Sequence, residues 1–232
     1  MIQKNLFIRT IKSLTWYEAL LWLLSLASVS VCYAFVPQKD VLTLISSLFG
    51  VSLVLFVAKG TVLGEIFTVF FSVFYGILSL KLHYYSEMIT YLGMNTPIAI
   101  ATMIEWIKNP YKDTVEVKVA HTTPKLWIKL FVYTTLVTTA FYFILKALGT
   151  ANLVVCTISI ATSFAASYLQ LVRSSYYAIG FMLNDSVLIL LWTLASVKDK
   201  SYISMIICFV VFLINDIYGF INWQRMKREQ TS

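Results

Sequence analysis

Apolar residues run through this chain in long unbroken stretches separated by short polar breaks. Eight stretches stand out: 17–36, 41–58, 61–80, 86–107, 127–145, 151–172, 176–197 and 201–223. A bilayer-crossing helix needs roughly 20 such residues, so each predicts one membrane span. None alternates apolar with polar, which excludes a porin-like barrel. Most connections are a handful of residues long. The exception, 108–126, reads KNPYKDTVEVKVAHTTPKL; it holds Pro110 and Pro124 and separates two halves of the chain. Its VEVKV piece alternates and predicts a short extended stretch, too small to be a domain.

Composition strengthens this picture. Apolar residues make up 59% of the chain and charged ones 12%, with mean hydropathy +0.79. Soluble domains carry about 25% charged residues, so this chain cannot cover a water-facing surface and is expected to be integral to a membrane. Cys32, Cys156 and Cys208 each lie in an apolar run, which excludes a disulfide scaffold. Lys4, Arg9 and Lys12 precede an apolar run from Ala19 to Gln38 that is long for a signal-peptide core, so a retained first helix is expected.

The net charge of +7 would suggest nucleic acid in a soluble protein, but here it reads as the loop bias of a membrane protein. Thirteen Lys and Arg fall on the side of the two termini and five on the other. This asymmetry predicts a plasma (inner) membrane protein with both termini in the cytoplasm and no nucleic-acid partner.

Shifting the chain by 117 residues lays Lys81, Tyr85, Met88, Ile89, Ile104 and Trp106 on Lys198, Tyr202, Met205, Ile206, Ile221 and Trp223, and Tyr75 on Trp192. Three repeat helices plus one linker helix make an even number of crossings, so both units must point the same way. The predicted fold is an all-α integral membrane protein of eight transmembrane helices. Two parallel three-helix repeats, 41–107 and 151–223, are joined by the central loop and a linker helix (108–150), in the manner of the SWEET transporters. One extra helix precedes them within 1–40, and 224–232 is expected to be a cytoplasmic tail.

Polar side chains deep in a span are costly and mark functional candidates. Asn184 and Asp185 lie mid-span, Asn215 and Asp216 in the last span, and Asn95 in the fourth. Glu65, Glu87 and Glu105 lie near span ends, where water or headgroups are expected to reach them. An amide offers both a donor and an acceptor, so Asn184, Asn215 and Asn95 suit a polar solute. Trp192, two helical turns past Asp185 on the same face, could flank a planar ring with Tyr168, Tyr177 and Phe181. Stacking with amide bonds points to a nucleoside-like solute. No Walker sequence, nucleophile elbow, Cys-x-x-Cys or metal-spaced His pair occurs, so no enzyme activity, metal or cofactor is expected.

The runs VAKGTVLG (57–64), YGILSLKLHYYSEM (75–88) with Pro97 and Trp106 beyond it, and NDIYGFINW (215–223) resemble the Pnu-type vitamin transporters over about 41–223. The resemblance implies two parallel three-helix bundles and often a homotrimer. It also implies facilitated diffusion of a nucleoside-like vitamin, trapped inside by a cytoplasmic kinase. The implied site adds Tyr91 and Tyr218 to Asn184, Asp185, Asn215, Trp192, Asn95, Tyr168 and Phe181. Some positions depart from the nicotinamide riboside pattern. Ala178 and Phe181 stand where Trp residues are usual, Tyr91 where an Asn or Gln is, and Thr102-Met103 where Gly-Trp is. These departures keep a deoxynucleoside in contention, with thiamine or riboflavin on the same fold as alternatives. A non-transporting membrane scaffold or sensor is the reading from another class. Because the solute would be consumed inside the cell, transport is expected to need no ion coupling.

Overall fold

The computed structural model describes residues 3–35, 40–150, 152–197, 200 and 203–231. Lys39, Lys198 and Tyr202, with the predicted segment ends at 36, 151 and 201, lie outside the described residues.

A short helix α1 (Gln3–Lys12) leads into α2 (Trp16–Phe35), α3 (Val41–Ala58) and α4 (Val62–Lys81). The next crossing was expected to be one straight helix over 86–107. It is composite: α5 (Tyr85–Met88), a π-helical stretch Ile89–Asn95, and α6 (Thr96–Lys108). Pro97 explains the difference. A proline cannot donate to the carbonyl four residues back and its ring clashes with that carbonyl. Widening the preceding turn moves Gly93 clear, and the Thr96 amide reaches back five residues to the Tyr91 carbonyl. Helices α7 (Pro124–Ala147), α8 (Leu153–Leu171), α9 (Tyr177–Ser196) and α10 (Ile203–Thr231) complete the chain. Among the described residues, seven helices are individually long and apolar enough to cross a membrane, and the composite segment supplies the eighth crossing.

The protein is therefore an all-helical membrane protein built from two parallel three-helix units. The first unit is α3, α4 and α5–α6; the second is α8, α9 and α10. Each unit packs its first helix on its second: α3 on α4, α8 on α9. The units then exchange partners, with α10 against α3 and α6 against α8. Residues related by the 117-residue shift meet between them. Trp192 Nε1 donates to the Tyr75 hydroxyl at 3.2 Å, and the rings of Trp106 and Trp223 lie 5.5 Å apart. Equivalent residues touch in this way only when they lie close to a shared two-fold axis. Gly64 and Gly180 let the hairpins close. A Cβ at Gly180 would come within 2.8 Å of Ala166 Cα, and one at Gly64 would strike the Val57 backbone.

Helix α7 packs on α8 and presents Phe131, Leu136 and Phe143 outward, as a linker on the lipid-facing rim should. Helix α2 rests on α3 and α10. The stretch 224–231, expected as a tail, continues α10 as helix. At about 1.5 Å per residue a helix of 29 residues exceeds the bilayer core, so its end projects beyond it. There Gln230 grips the central loop: Nε2 donates to the Val117 carbonyl (3.2 Å) and Oε1 accepts from the Val119 amide (2.7 Å). The loop also ties down both interhelical turns. Val117 N–H donates to Gly60 O (2.8 Å) and Ala120 N–H to Arg173 O (3.0 Å).

A buried polar cavity as the candidate functional site

Between the two units lies a narrow cavity of about 60 Å³. Helix α4 contributes Glu65, Thr68 and Ser72, which the helical repeat stacks on one face. The composite crossing contributes Tyr91, Asn95 and Thr102; the wide π turn carries the first two. Helix α8 contributes Ser167 and Gln170, α9 contributes Tyr177, Phe181, Asn184 and Asp185, and α10 contributes Phe209, Phe212 and Asp216.

Aromatic layers flank the cavity at both ends. Towards the termini, Tyr177 packs on Trp223 with centroids 4.8 Å apart, and Trp223 packs on Trp106. Beneath them Val117 and Val119 of the central loop join the same buried cluster. Towards the far side, Tyr91 lies 4.4 Å from Tyr75 and 5.6 Å from Phe71, and Phe209 packs on Phe212. Small-molecule pockets usually hold roughly 300–1,000 Å³. A solute of that size therefore fits only if the surrounding helices move apart.

The chemistry of the lining is acidic. Asp185 and Asp216 come into side-chain hydrogen-bonding contact. Glu65, fully buried, accepts from Gln170 Nε2 at 2.6 Å. Among the described residues, no Lys or Arg lines the space. Asn95 and Ser163 exchange hydrogen bonds at 3.1 and 3.2 Å, and Thr162 donates to Asn184 Oδ1 at 3.0 Å.

Of the ten residues singled out from sequence, the structure brings Asn184, Asp185, Tyr91, Asn95, Phe181 and Tyr177 to the cavity wall. The other four lie elsewhere. Trp192 is fully buried against Tyr84 and bonded to Tyr75, because its face of α9 meets the first repeat rather than the cavity. Asn215 turns its amide to Ser25 of α2 (3.2 Å) and the Val211 carbonyl (2.8 Å). Tyr168 faces the linker side, packing on Tyr133 and Phe164. Tyr218 donates to Glu18 at 2.6 Å. Sequence reasoning placed Glu65 and Glu87 at wet span ends, yet both are buried, because the neighbouring helices overlap those ends. Glu105 is the exception and pairs with Arg173 at 3.2 Å. Glu65, Gln170, Thr68 and Ser72 were not expected at the site. The polar residues of α4 recur at helical spacing among Phe and Val, which is the signal that could have found them.

A polar cavity held at depth between two parallel three-helix units of a multi-pass protein defines a membrane transporter. The chain belongs to the nicotinamide mononucleotide transporter family, whose model matches residues 40–225. It is similar to the nicotinamide riboside transporter PnuC of Neisseria mucosa, at 25% identity over 223 residues, covering 94% of this chain and 84% of that one. PnuC of Haemophilus influenzae is 25% identical over 208 residues, covering 88% and 89%. The crystal structure of the vitamin B3 transporter PnuC shares the fold, with a TM-score of 0.85 at 23% identity over 97% of both chains. These relatives are transporters rather than enzymes.

Proposed function

We propose that the protein carries nicotinamide riboside inward across the plasma membrane by facilitated diffusion. The observation that carries this reading beyond family membership is the set of carboxyl groups on the cavity wall. Asp185, Asp216 and Glu65 line it, with no Lys or Arg among the described residues. A carboxyl group that gives up its proton there can pair with a positively charged solute, and the pyridinium ring of nicotinamide riboside bears that charge. An uncharged deoxynucleoside offers no such partner. Phe181, Tyr91, Phe209 and Phe212 supply faces for a planar ring.

The Lys and Arg asymmetry supports cytoplasmic termini. Phosphorylation of the delivered riboside by a cytoplasmic kinase would keep its internal concentration low, so no ion gradient is needed. The apolar outer faces are compatible with a homotrimer. Uptake of labelled nicotinamide riboside into proteoliposomes tests the reading. Saturable entry is expected, stopping at equal concentrations and indifferent to an imposed pH or sodium gradient. Absence of uptake by correctly folded protein would overturn it. Accumulation above equilibrium that Asp185→Asn abolishes would overturn uncoupled transport alone.

A further inference from the structure

Four cavity-lining polar atoms have no hydrogen-bond partner among the described residues, and besides Asp185 Oδ2 they are Glu65 Oε2, Gln170 Oε1 and the Tyr177 hydroxyl, all carried by helix ends on the side of the termini. All three residues line the cavity, and all three are buried. Leaving one such atom unpaired in a dry interior is costly, and native structures rarely do so without a reason. Here four line one cavity.

The local geometry shows what they are arranged to meet. The Gln170-to-Glu65 hydrogen bond of 2.6 Å ties the two side chains together and leaves one carboxyl oxygen and one amide oxygen without a partner. The backbone behind them is pinned too, since Trp106 Nε1 donates to the Gln170 carbonyl at 3.2 Å. Tyr177 adds a hydroxyl that both donates and accepts. It lies so close to Gly219 that a Cβ there would come within 2.9 Å of its oxygen. Two unpaired acceptors and one amphoteric hydroxyl match two neighbouring donors on a ligand. A vicinal diol presents that pattern.

We propose that Glu65, Gln170 and Tyr177 form a subsite that binds the cis-diol of a ribose and so separates ribonucleosides from their 2′-deoxy forms. This rests on the nucleoside reading above and adds the specificity determinant. A site built to hydrogen-bond a hydroxyl discriminates strongly against the analogue lacking it, because its own buried groups are left stranded.

The test is calorimetric titration of the full-length protein in detergent with nicotinamide riboside and with 2′-deoxynicotinamide riboside. Wild type should bind the riboside at least tenfold more tightly. Glu65→Gln, nearly isosteric, should weaken riboside binding about tenfold and leave the deoxy form unchanged, closing the gap. Gln170→Leu serves the same purpose if Glu65→Gln does not fold. Equal weakening of both ligands would assign Glu65 a structural role and overturn the subsite. Equal affinity of the two ligands for wild type would overturn it while the transport reading stands. No riboside binding by folded wild type would overturn both.

Discussion

At the scale of single residues, the most connected side chain is Glu18, at the start of α2. Its carboxylate accepts from Lys59 Nζ (2.8 and 3.1 Å), the Tyr218 hydroxyl (2.6 Å), and the amide and hydroxyl of Thr15 (2.7 and 2.9 Å). Glu18 and Lys59 are both buried. One carboxylate thus joins the extra helix to the first unit through Lys59 and to the second through Tyr218. Removing one partner of a buried ion pair leaves an uncompensated charge, at a cost of about 3–5 kcal/mol. Lys59→Met should therefore lower the unfolding midpoint in detergent sharply, and adding Glu18→Gln should recover much of the loss. Additive losses would show that the pair is not coupled. The two asparagines separate in the same way. Asn184→Ala should weaken riboside binding by about tenfold, the loss of a buried hydrogen bond with its partner stranded. Asn215→Ala, whose amide faces α2, should lower stability and leave affinity within about twofold.

At the scale of elements, the π stretch sets the angular positions of Tyr91 and Asn95. An extra residue in a turn rotates everything before it relative to everything after it, and such bulges often occur at functional sites. Deleting Gly93 would return the segment to an α pattern and turn one of the two residues off the cavity wall. Binding of the riboside should be lost while the protein still inserts as a folded monodisperse species. Retained affinity would show that the bulge merely accommodates Pro97. The central loop is a second such device. It bonds to the turn at Gly60, the turn at Arg173 and the end of α10 at Gln230. Gln230→Ala should accelerate amide hydrogen exchange at Val119, measured against an unchanged core, because that amide loses its acceptor.

At the scale of the whole molecule, the pairs Tyr75–Trp192 and Trp106–Trp223 lie near the axis that relates the two units, on opposite sides of the cavity. Rocking of one unit against the other would separate one pair while the other stays closed, which is how parallel-repeat carriers expose a central site alternately. Replacing both Trp106 and Trp223 by Ala removes the layer towards the termini. In a background lacking Cys32, Cys156 and Cys208, a cysteine at Ser167 should then react with a membrane-impermeant thiol reagent applied from that side. With both tryptophans in place it should react slowly. Equal labelling in the two backgrounds would mean the aromatic pair is not the barrier.

The number of spans and the parallel repeat joined by a linker helix were legible in the chain. They follow from the solvent: a bilayer demands long apolar helices, and the parity of crossings fixes the relative direction of two repeats. The family resemblance was legible too, because motifs such as NDIYGFINW are local. What each polar side chain faces was not. Helical periodicity places Trp192 and Asp185 on one face of α9 but cannot say that two turns along that face the neighbour changes from cavity to Tyr75. Glu65 reads as a carboxylate near a wet helix end until Gln170, more than a hundred residues away, is packed against it. Lys59 reads as one more loop cation until Glu18 buries it. In a membrane protein the apolar pattern is set by lipid on the outside and carries little information about the inside. Helix rotation, overlap and contact across the repeat axis therefore decided which polar groups share a cavity, and those are properties of the tertiary structure alone.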